Sequence, residues 1–499
     1  MELSKALENL KKLQLEMHAY QTAQSSLYLD GATVAPRGGA AARGQVMGIL
    51  SEKSYQLFVC DETRELLACL KENAASLSEQ QRREAEVLGR DLAQIERIPM
   101  DEYAAYTQLT NDSEAAWHKA KEDNDYPAFR PYLDKVIDFN RRFAGYKDAS
   151  KPAYDCMMDD YERGMCTATL DPFFETLKKT LVPLVKEVKD RPLDDSFLFG
   201  TFDEARQAKL AAEVMRVMGL DPDFCALGTT EHPFTLGFNR YDVRITTHYY
   251  EHALPFSLYS VIHEGGHALY EHGIADELQF TCLADGASMG LHESQSRFYE
   301  NIIGRSRAFV TGVLHPTATR LFPDELKGVT PEMLYRAVNK AQPSLIRTEA
   351  DELTYCLHIM IRYELEKQLV AGTLSTADLP AAWNQLYTDM LGVTPPDDRQ
   401  GVLQDTHWSG GMIGYFPTYA LGSAYGAQFL SVMKRELDVD ALAGKGDLAP
   451  ITSWLQRNIH RYGKLYDPAE LIQKVCGEPF DPRYYTDYLT QKMTDVYGL

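Results

Sequence analysis

Helical periodicity is the feature of this sequence that most constrains its fold. Through most of the chain, apolar residues recur at three- and four-residue spacing among Glu, Gln, Lys, Arg and Ala, which favour helices. Proline and glycine residues separate these stretches, and the chain contains no internal repeat or long Gly/Ser linker. We therefore expect one large, mainly helical domain over residues 1–499. Helices are predicted over residues 1–27, 42–58, 78–96, 101–122, 127–147, 170–188, 203–218, 331–342, 350–371, 376–392, 420–437, 447–462 and 467–475.

One region departs from the helical pattern. Residues 232–238 and 242–247 are short runs of β-favouring residues joined by residues 239–241, which predicts a β-hairpin. An edge strand of such a hairpin could pair with the backbone of a bound peptide. The hairpin could equally pack against the end of the helical core without contacting a ligand, and the pattern does not separate these alternatives.

Composition and charge narrow the class of partner. The chain is 44% hydrophobic and 25% charged, as in ordinary globular proteins, and its formal net charge is −21. Because an acidic surface repels phosphate groups and anionic lipids, we expect neither nucleic acid nor membrane as a partner. The eight cysteines form no CxxC pair, and the chain shows no secretory signal and no apolar run long enough to span a bilayer. These features predict a cytoplasmic protein.

The segment His263-Glu-Gly-Gly-His267 matches the HExxH motif of zinc peptidases. Residues four apart lie on one helix face, so both imidazoles can reach one metal ion, while Glu264 can take a proton from a water molecule beside it. Apolar residues flank the motif at 257–262 and 268–270, which predicts burial. A buried histidine pair needs a compensating partner, and a metal ion supplies one. The alternative is a chance match on an amphipathic helix.

A catalytic zinc site needs a third protein ligand and an open position. Residues 290–297 are predicted to be helical, and we expect Glu293 to be that ligand, with His292 as the competitor. Adjacent helix positions point about 100° apart, so only one of the two can face the ion. The other histidines of this region are expected to be surface or packing residues: His248, His252 and His272.

Further polar groups could support this centre. Metal-bound imidazoles usually donate their second N–H to a carboxylate or carbonyl, and the candidates are Asp285, Glu300 and Asp351, which the sequence does not rank. Residues 404–419 form a predicted glycine-punctuated loop that could supply donors to a developing oxyanion. The candidate donors are His407, Tyr415 and Tyr419, although the same aromatic residues could simply pack in a buried loop.

Six motifs in order resemble the carboxypeptidase Taq family of metallocarboxypeptidases, and the resemblance extends nearly from end to end. The motifs are His232-Pro-Phe234, Asp242-x-Arg244-x-Thr246, His263-Glu-x-x-His267, His292-Glu-Ser-Gln-Ser296, Ile346-Arg-x-x-Ala-Asp351 and Gly401-x-x-Gln-Asp-x-His-Trp408.

The resemblance implies a mainly α fold in which two helical halves flank a deep central groove, similar to angiotensin-converting enzyme and neurolysin, with a small sheet beside the active site. It implies a homodimeric, metal-dependent exopeptidase that releases single C-terminal residues with broad specificity and disfavours proline. It further implies that Zn²⁺, replaceable by Co²⁺ or Mn²⁺, is held by His263, His267 and Glu293, with Glu264 as the general base.

The resemblance also assigns Arg347 to the C-terminal carboxylate of the substrate. A guanidinium can hold a carboxylate through two parallel hydrogen bonds, which would select free C-termini. The alternative for Arg347 is an ion pair with Asp351. The first two motifs add His232 and Arg244 as candidate substrate-binding residues.

Two other functions remain open from the sequence. An endopeptidase or dipeptidase could use the same fold and metal. A non-catalytic peptide-binding protein could use a structural metal site, which would require four protein ligands and no bound water.

Overall fold

Helices make up nearly all of the regular structure in the computed structural model, which describes residues 1–499, and this confirms the predicted mainly α class. Nine helices precede the sheet: α1 (Leu3–Thr33), α2 (Ala40–Phe58), α3 (Asp61–Glu72), α4 (Glu79–Glu96), α5 (Met100–Asp123), α6 (Tyr126–Asp148), α7 (Ala153–Asp159), α8 (Thr167–Val188) and α9 (Glu204–Met218).

Twelve helices follow the sheet. They are α10 (Leu254–Gly273), α11 (Met289–Arg297), α12 (Arg307–Phe309), α13 (His315–Leu321), α14 (Pro331–Val338), α15 (Glu352–Ala371), α16 (Leu379–Leu391), α17 (Pro417–Met433), α18 (Val439–Lys445), α19 (Ala449–Asn458), α20 (Pro468–Cys476) and α21 (Arg483–Tyr497).

The predicted helices are present, although several begin or end at residues other than the predicted ones. Helix α1 continues to Thr33 instead of ending near residue 27, because no residue before Pro36 forces the helix to stop. The pattern missed the shorter helices α3, α7, α12, α13 and α18, and also α21. Helix α17 begins at Pro417, three residues before its predicted start, with proline in the first turn where its missing N–H is not needed.

A three-stranded sheet lies beside α10. Strands β1 (Cys225–Thr229), β2 (Thr235–Asn239) and β3 (Asp242–Thr247) have the order β1-β3-β2. Strands β2 and β3 form the predicted antiparallel hairpin. The pattern missed β1, which pairs in parallel with β3, because parallel pairing depends on a crossover and not on a local turn. Strand β2 is therefore an edge strand.

Two hydrophobic clusters of very different size hold the helices together. The larger has 104 buried residues and extends from Val87 to Tyr497, with α10 inside it. The smaller has 11 buried residues, which come from α1, α3, α4 and neighbouring positions. The motif-bearing helix α10 is thus positioned by the larger cluster.

The two glycines inside the HExxH segment allow α10 to pack closely against its neighbours. A Cβ atom at Gly266 would lie 2.6 Å from the carbonyl oxygen of Gln295, on α11, and one at Gly265 would lie 2.8 Å from the side chain of Leu220. No side chain fits at these distances. Gly266 therefore permits the close approach of α10 and α11 that brings their polar side chains together, while Gly265 leaves room for Leu220, just after α9.

Candidate metal centre and active site

Helices α10 and α11 bring the three predicted metal ligands together. The Oε2 atom of Glu293 lies 3.6 Å from His263 Nε2 and 3.5 Å from His267 Nε2. One ligand atom from each side chain lies within 4.8 Å of the others, a spacing that a single metal ion can bridge. We call these three residues the metal centre.

Helix α17 packs against the third ligand. A Cβ atom at Gly422 would lie 2.7 Å from Cβ of Glu293, so the glycine leaves space for that side chain. The Glu293 side chain also accepts a hydrogen bond from Arg297 Nε to Oε1, at 2.7 Å. Although burial raises the pKa of Glu293, Arg297 and His263 outweigh it and hold the pKa well below its usual range. Glu293 is therefore ionised and can offer a carboxylate oxygen to a metal ion.

The first ligand, His263, contacts a carboxylate directly. Its Nδ1 atom lies 2.9 Å from Oε2 of Glu300, which also accepts hydrogen bonds from Arg297 at 3.1 Å and, at its other oxygen, from Arg305 at 3.3 Å. With the Nδ1 proton donated to Glu300, the Nε2 lone pair of His263 faces Glu293 and His267. Among the three supporting carboxylates considered from the sequence, Glu300 is the one that contacts a ligand.

The other two candidate carboxylates have other partners and do not contact His263 or His267. Asp285 pairs with Lys464 at 2.6 Å and accepts the N–H of Gly286 at 2.7 Å. Asp351 is the N-cap of α15, where it accepts the N–H groups of Leu353 and Thr354. Both carboxylates instead accept hydrogen bonds from local backbone N–H groups, and Asp285 also pairs with a nearby cation.

The second ligand, His267, contacts another histidine. Its Nδ1 atom lies 2.6 Å from Nδ1 of His292, and Nε2 of His292 lies 2.7 Å from Oε1 of Glu271. His292 thus lies behind His267 and outside the ligand cluster, while Glu293 faces the cluster. Burial lowers the pKa of His267 to about 3 despite the nearby Glu293, so its imidazole is neutral and can act as a ligand.

Glu264 is buried beside the metal centre and has a partner that the sequence analysis missed. It is 8% exposed, and its Oε2 accepts a hydrogen bond of 2.6 Å from Thr235 Oγ1 on β2. Burial raises the pKa of Glu264, and His263 and the Thr235 hydroxyl offset part of this effect. The available signal was the position of Thr235, directly after the His232-Pro-Phe234 motif.

Arg347 lies in a second buried group of charges. It is 6% exposed and donates from Nε and Nη2 to Oδ1 of Asp405, at 2.9 and 2.8 Å. Arg362 donates from Nε to the other oxygen of Asp405 at 2.7 Å. The alternative of an ion pair between Arg347 and Asp351 was therefore wrong. We call Arg347, Arg362 and Asp405 the arginine cluster.

Tyr355 connects the metal centre to the arginine cluster. Its hydroxyl accepts a hydrogen bond of 3.1 Å from Arg347 Nη1, and the guanidinium of Arg297 lies 4.3 Å from the centre of its ring. Arg297 in turn holds Glu293. The sequence analysis missed Arg297 and Tyr355; Tyr355 lies one helical turn after Asp351, at the end of the Ile-Arg-x-x-Ala-Asp motif.

The three candidate oxyanion donors lie together next to Arg347. His407 Nε2 is 3.4 Å from the Tyr419 hydroxyl, and the rings of Tyr415 and Tyr419 are 5.2 Å apart. Tyr419 lies in the first turn of α17 and not in the predicted loop. Burial and Arg347 lower the pKa of His407 to about 4, and its buried Nδ1 has no hydrogen-bond partner in the protein.

The candidate substrate-binding residues of the first two motifs lie on the sheet. His232 is exposed just before β2. Arg244, on β3, pairs with Asp242 at 2.8 and 2.9 Å and lies 4.4 Å from the ring centre of Phe238. These contacts place Arg244 on the sheet beside α10, with its charge balanced by its own strand.

The histidines expected to be packing residues contact backbone carbonyls. Nδ1 of His248 lies 2.9 Å from the oxygen of Thr230, and Nδ1 of His272 lies 2.7 Å from the oxygen of Arg240. His252 is exposed. None of the three belongs to the metal centre.

Comparison with known proteins identifies the family. The family model described as carboxypeptidase Taq (M32) metallopeptidase matches residues 9–493. The chain belongs to this family. It is therefore a metallocarboxypeptidase, as the resemblance of its motifs implied.

Several relatives match this metallocarboxypeptidase along its whole length. Carboxypeptidase 1 of Bacillus subtilis (strain 168) is 40% identical over 484 residues, which cover 96% of each chain. The crystal structure of the M32 carboxypeptidase from Deinococcus radiodurans R1 has a TM-score of 0.95 at 34% identity and covers 99% of this chain and 100% of that one. A structure of the Pyrococcus furiosus carboxypeptidase has a TM-score of 0.94 at 34% identity, covering 99% of both chains. No helix of the enzyme is both long and apolar enough to cross a membrane.

Proposed function

We propose that this metallocarboxypeptidase uses zinc to remove single residues from the free C-termini of peptides, with Glu264 as the general base. The observation that carries the proposal is the metal centre itself, with two imidazole nitrogens and one carboxylate oxygen beside a buried glutamate. This donor set is that of catalytic zinc sites with two histidines and one glutamate, and Co²⁺ or Mn²⁺ could replace zinc. A bound zinc ion supplies Lewis-acid chemistry, which polarises a carbonyl group and makes water more acidic.

Proton transfer and metal binding are assigned to different side chains. Thr235 engages Oε2 of Glu264, which leaves Oε1 to take a proton from water and later to pass it to the leaving amine. His263, His267 and Glu293 hold the metal ion. The predicted alternative of a structural metal site would need a fourth protein ligand, and His292 supports His267 from behind.

Arg347 is proposed to bind the C-terminal carboxylate of the substrate. Three of its five N–H groups are donated to Asp405 and Tyr355, so one N–H on each of Nη1 and Nη2 remains for a carboxylate. Two parallel bonds of this kind require a free C-terminus and would exclude internal peptide bonds.

The neighbouring polar groups would bind the rest of the scissile residue. We assign His407, Tyr415 and Tyr419 as donors to the carbonyl oxygen that becomes negatively charged, because they lie next to Arg347. The edge strand β2, with His232 before it and Arg244 on the paired strand, would bind substrate backbone.

Broad specificity and a preference against proline are expected from this mode of binding. Backbone hydrogen bonds do not distinguish side chains, whereas proline has no N–H to donate and a restricted backbone. From the family resemblance we also propose a single domain with two helical halves around a groove, a homodimer and a cytoplasmic location. The eight free cysteines agree with a reducing compartment.

The test is mass-spectrometric digestion of one peptide and its C-terminal amide, with and without a chelator. We expect stepwise loss of single residues from the free acid only, abolished by the chelator and restored by zinc. Cleavage of both peptides at internal bonds would contradict the exopeptidase assignment. Activity that survives complete removal of the metal would contradict the metal centre.

A further inference from the structure

We propose that His292 and Glu271 form a hydrogen-bonded relay that orients His267 and fixes the position of its proton, so that Nε2 is available to the metal ion. This inference rests on the proposed role of His267 as a metal ligand. His292 and Glu271 are positioning residues, because they act through His267 and do not contact the metal or the substrate.

The relay follows from proton counting along two short contacts. The Nδ1 atoms of His267 and His292 are 2.6 Å apart, so one of them must donate and the other must accept. A metal ligand needs a bare Nε2, which puts the His267 proton on Nδ1 and makes it the donor. His292 must then be bare at Nδ1 and protonated at Nε2, and that proton points at Oε1 of Glu271, 2.7 Å away.

Close packing holds both members of the relay in place. A Cβ atom at Gly286 would lie 2.6 Å from the His292 ring, and one at Gly237 would lie 2.6 Å from Oε2 of Glu271. The ring of Tyr270 lies 5.0 Å from that of His292 on another side. These contacts restrict the His292 ring on two sides and the Glu271 carboxylate on one side.

The helical register explains why a histidine is needed as a bridge. His263, His267 and Glu271 follow one another at four-residue spacing on the same face of α10. His292 comes from α11 and lies between His267 and Glu271. Its two hydrogen bonds connect the Glu271 carboxylate to the His267 imidazole. His263 has no such bridge, because Glu300 contacts it directly. Glu300 therefore contacts His263 directly, whereas Glu271 reaches His267 only through His292.

The relay is tested by metal affinity and not by activity alone. Zinc is titrated into the metal-free full-length enzyme in competition with a chromogenic chelator, and the visible absorption spectrum is recorded with Co²⁺ in place of zinc. The variants are His292→Leu and Glu271→Leu, which break the relay at different points, and His292→Asn, whose Oδ1 can still accept from His267. Asp285→Asn is the matched control, because Asp285 lies in the same group of side chains but pairs with Lys464. Circular dichroism of the metal-free proteins checks folding.

Loss of a supporting group around a metal ligand weakens metal binding about 10- to 100-fold. We expect losses of this size for His292→Leu and Glu271→Leu with an altered Co²⁺ spectrum, a smaller loss for His292→Asn, and no change for Asp285→Asn. Wild-type affinity in folded Glu271→Leu and His292→Leu would overturn the relay. Should His292→Leu fail to fold, wild-type affinity and spectrum in Glu271→Leu alone would overturn it. Absence of zinc binding by the wild-type enzyme would contradict the proposed metal centre instead.

Discussion

The metal centre and the arginine cluster are both buried, and the charges around them are unbalanced in opposite directions. Near the metal centre, three carboxylates face two guanidinium groups: Glu264, Glu293 and Glu300 against Arg297 and Arg305. In the arginine cluster, two guanidinium groups share one carboxylate. Because an uncompensated buried charge is costly, the first region attracts a cation and the second attracts an anion.

The difference shows how one active site can select two unlike ligands. At the metal centre the cation can be a proton, and the nearby carboxylates raise the pKa of His263 against the effect of burial. A metal ion can replace that proton. At the arginine cluster, we propose that the C-terminal carboxylate of a substrate supplies the missing negative charge. The comparison predicts that damage to each region removes a different function.

The largest expected effect comes from Glu264→Gln, which changes proton transfer without changing a metal ligand. General acid–base catalysis contributes about 10²- to 10⁴-fold, and we expect a loss near the upper end because the proposed role of Glu264 is both to take and to return the proton. The measurement is kcat/KM with metal content determined on the same sample. Full metal content with wild-type turnover would rule out Glu264 as the base.

Asp405→Asn tests the charge balance of the arginine cluster. The variant leaves two buried guanidinium groups without a carboxylate, and breaking a buried ion pair in this way costs about 3–5 kcal/mol of unfolding free energy. Denaturant unfolding measures the change, with Asp389→Asn as the control because that carboxylate is exposed. Equal stability of the two variants would show that the cluster does not depend on Asp405.

Arg347→Met tests recognition of the free C-terminus. Hydrogen bonds to charged groups contribute about 1.5–3 kcal/mol each, so loss of two predicts a fall of at least about 10²-fold in kcat/KM for a peptide acid. Any slow cleavage of the peptide amide by the wild type should not fall further in the variant. Arg320→Met removes a surface arginine and serves as the control. An equal loss on acid and amide would argue against carboxylate binding.

Glu366 lies next to the arginine cluster, and its protonation should make the stability of the fold depend on pH. Burial raises its pKa to about 7, although Trp408, Tyr154 and the N–H of Gly414 donate to it. The folded state then binds the proton more tightly than the unfolded state, so the stability from Glu366 is complete below about pH 4.5 and falls as the pH rises through about 7.

The measurement is the unfolding free energy of the wild type and of Glu366→Gln between pH 4.5 and 8. The difference between the two should change with pH at a slope of at most about 1.4 kcal/mol per pH unit. Glu364→Gln is the control on the same helix, and its slope should match that of the wild type. A constant difference between Glu366→Gln and the wild type would mean that Glu366 does not titrate in this range.

The smallest expected effect is that of Thr235→Val, which removes the hydroxyl donor to Glu264 and keeps the shape of the side chain. A hydrogen bond to a charged group of this strength predicts a loss of about tenfold in kcat/KM with unchanged metal affinity. Thr235→Ser should restore most of the activity. Weaker metal binding in Thr235→Val would show that Thr235 supports the metal ligands and not Glu264.

Short-range patterns predicted the parts of the site that one helix can present. His263 and His267 lie on one face of α10 because a helix repeats every 3.6 residues, and that relation is written in the local sequence. The angle between adjacent helix positions showed that only one of His292 and Glu293 can face the ion. Glu293 was the expected ligand, and the structure places it at the metal centre. The family resemblance then supplied the expected roles of these residues.

Contacts between distant segments decided most of the rest, although Arg297 lies only four residues after Glu293 on the same helix. Asp405 lies 58 positions after Arg347, and Thr235 lies 29 positions before Glu264. Strand β1 was missed for the same reason, since its partner β3 is not adjacent in the chain.

The helical class, the family and the residue types that meet at the metal centre could be predicted from the sequence, because periodicity and motif spacing are local properties. The partner of each buried charge, in contrast, depends on how the helices pack in three dimensions. Those pairings depend on close approaches such as that at Gly266, where α10 meets α11. Burial makes an unpaired charge costly but does not specify its partner, and the packing of the helices makes that choice.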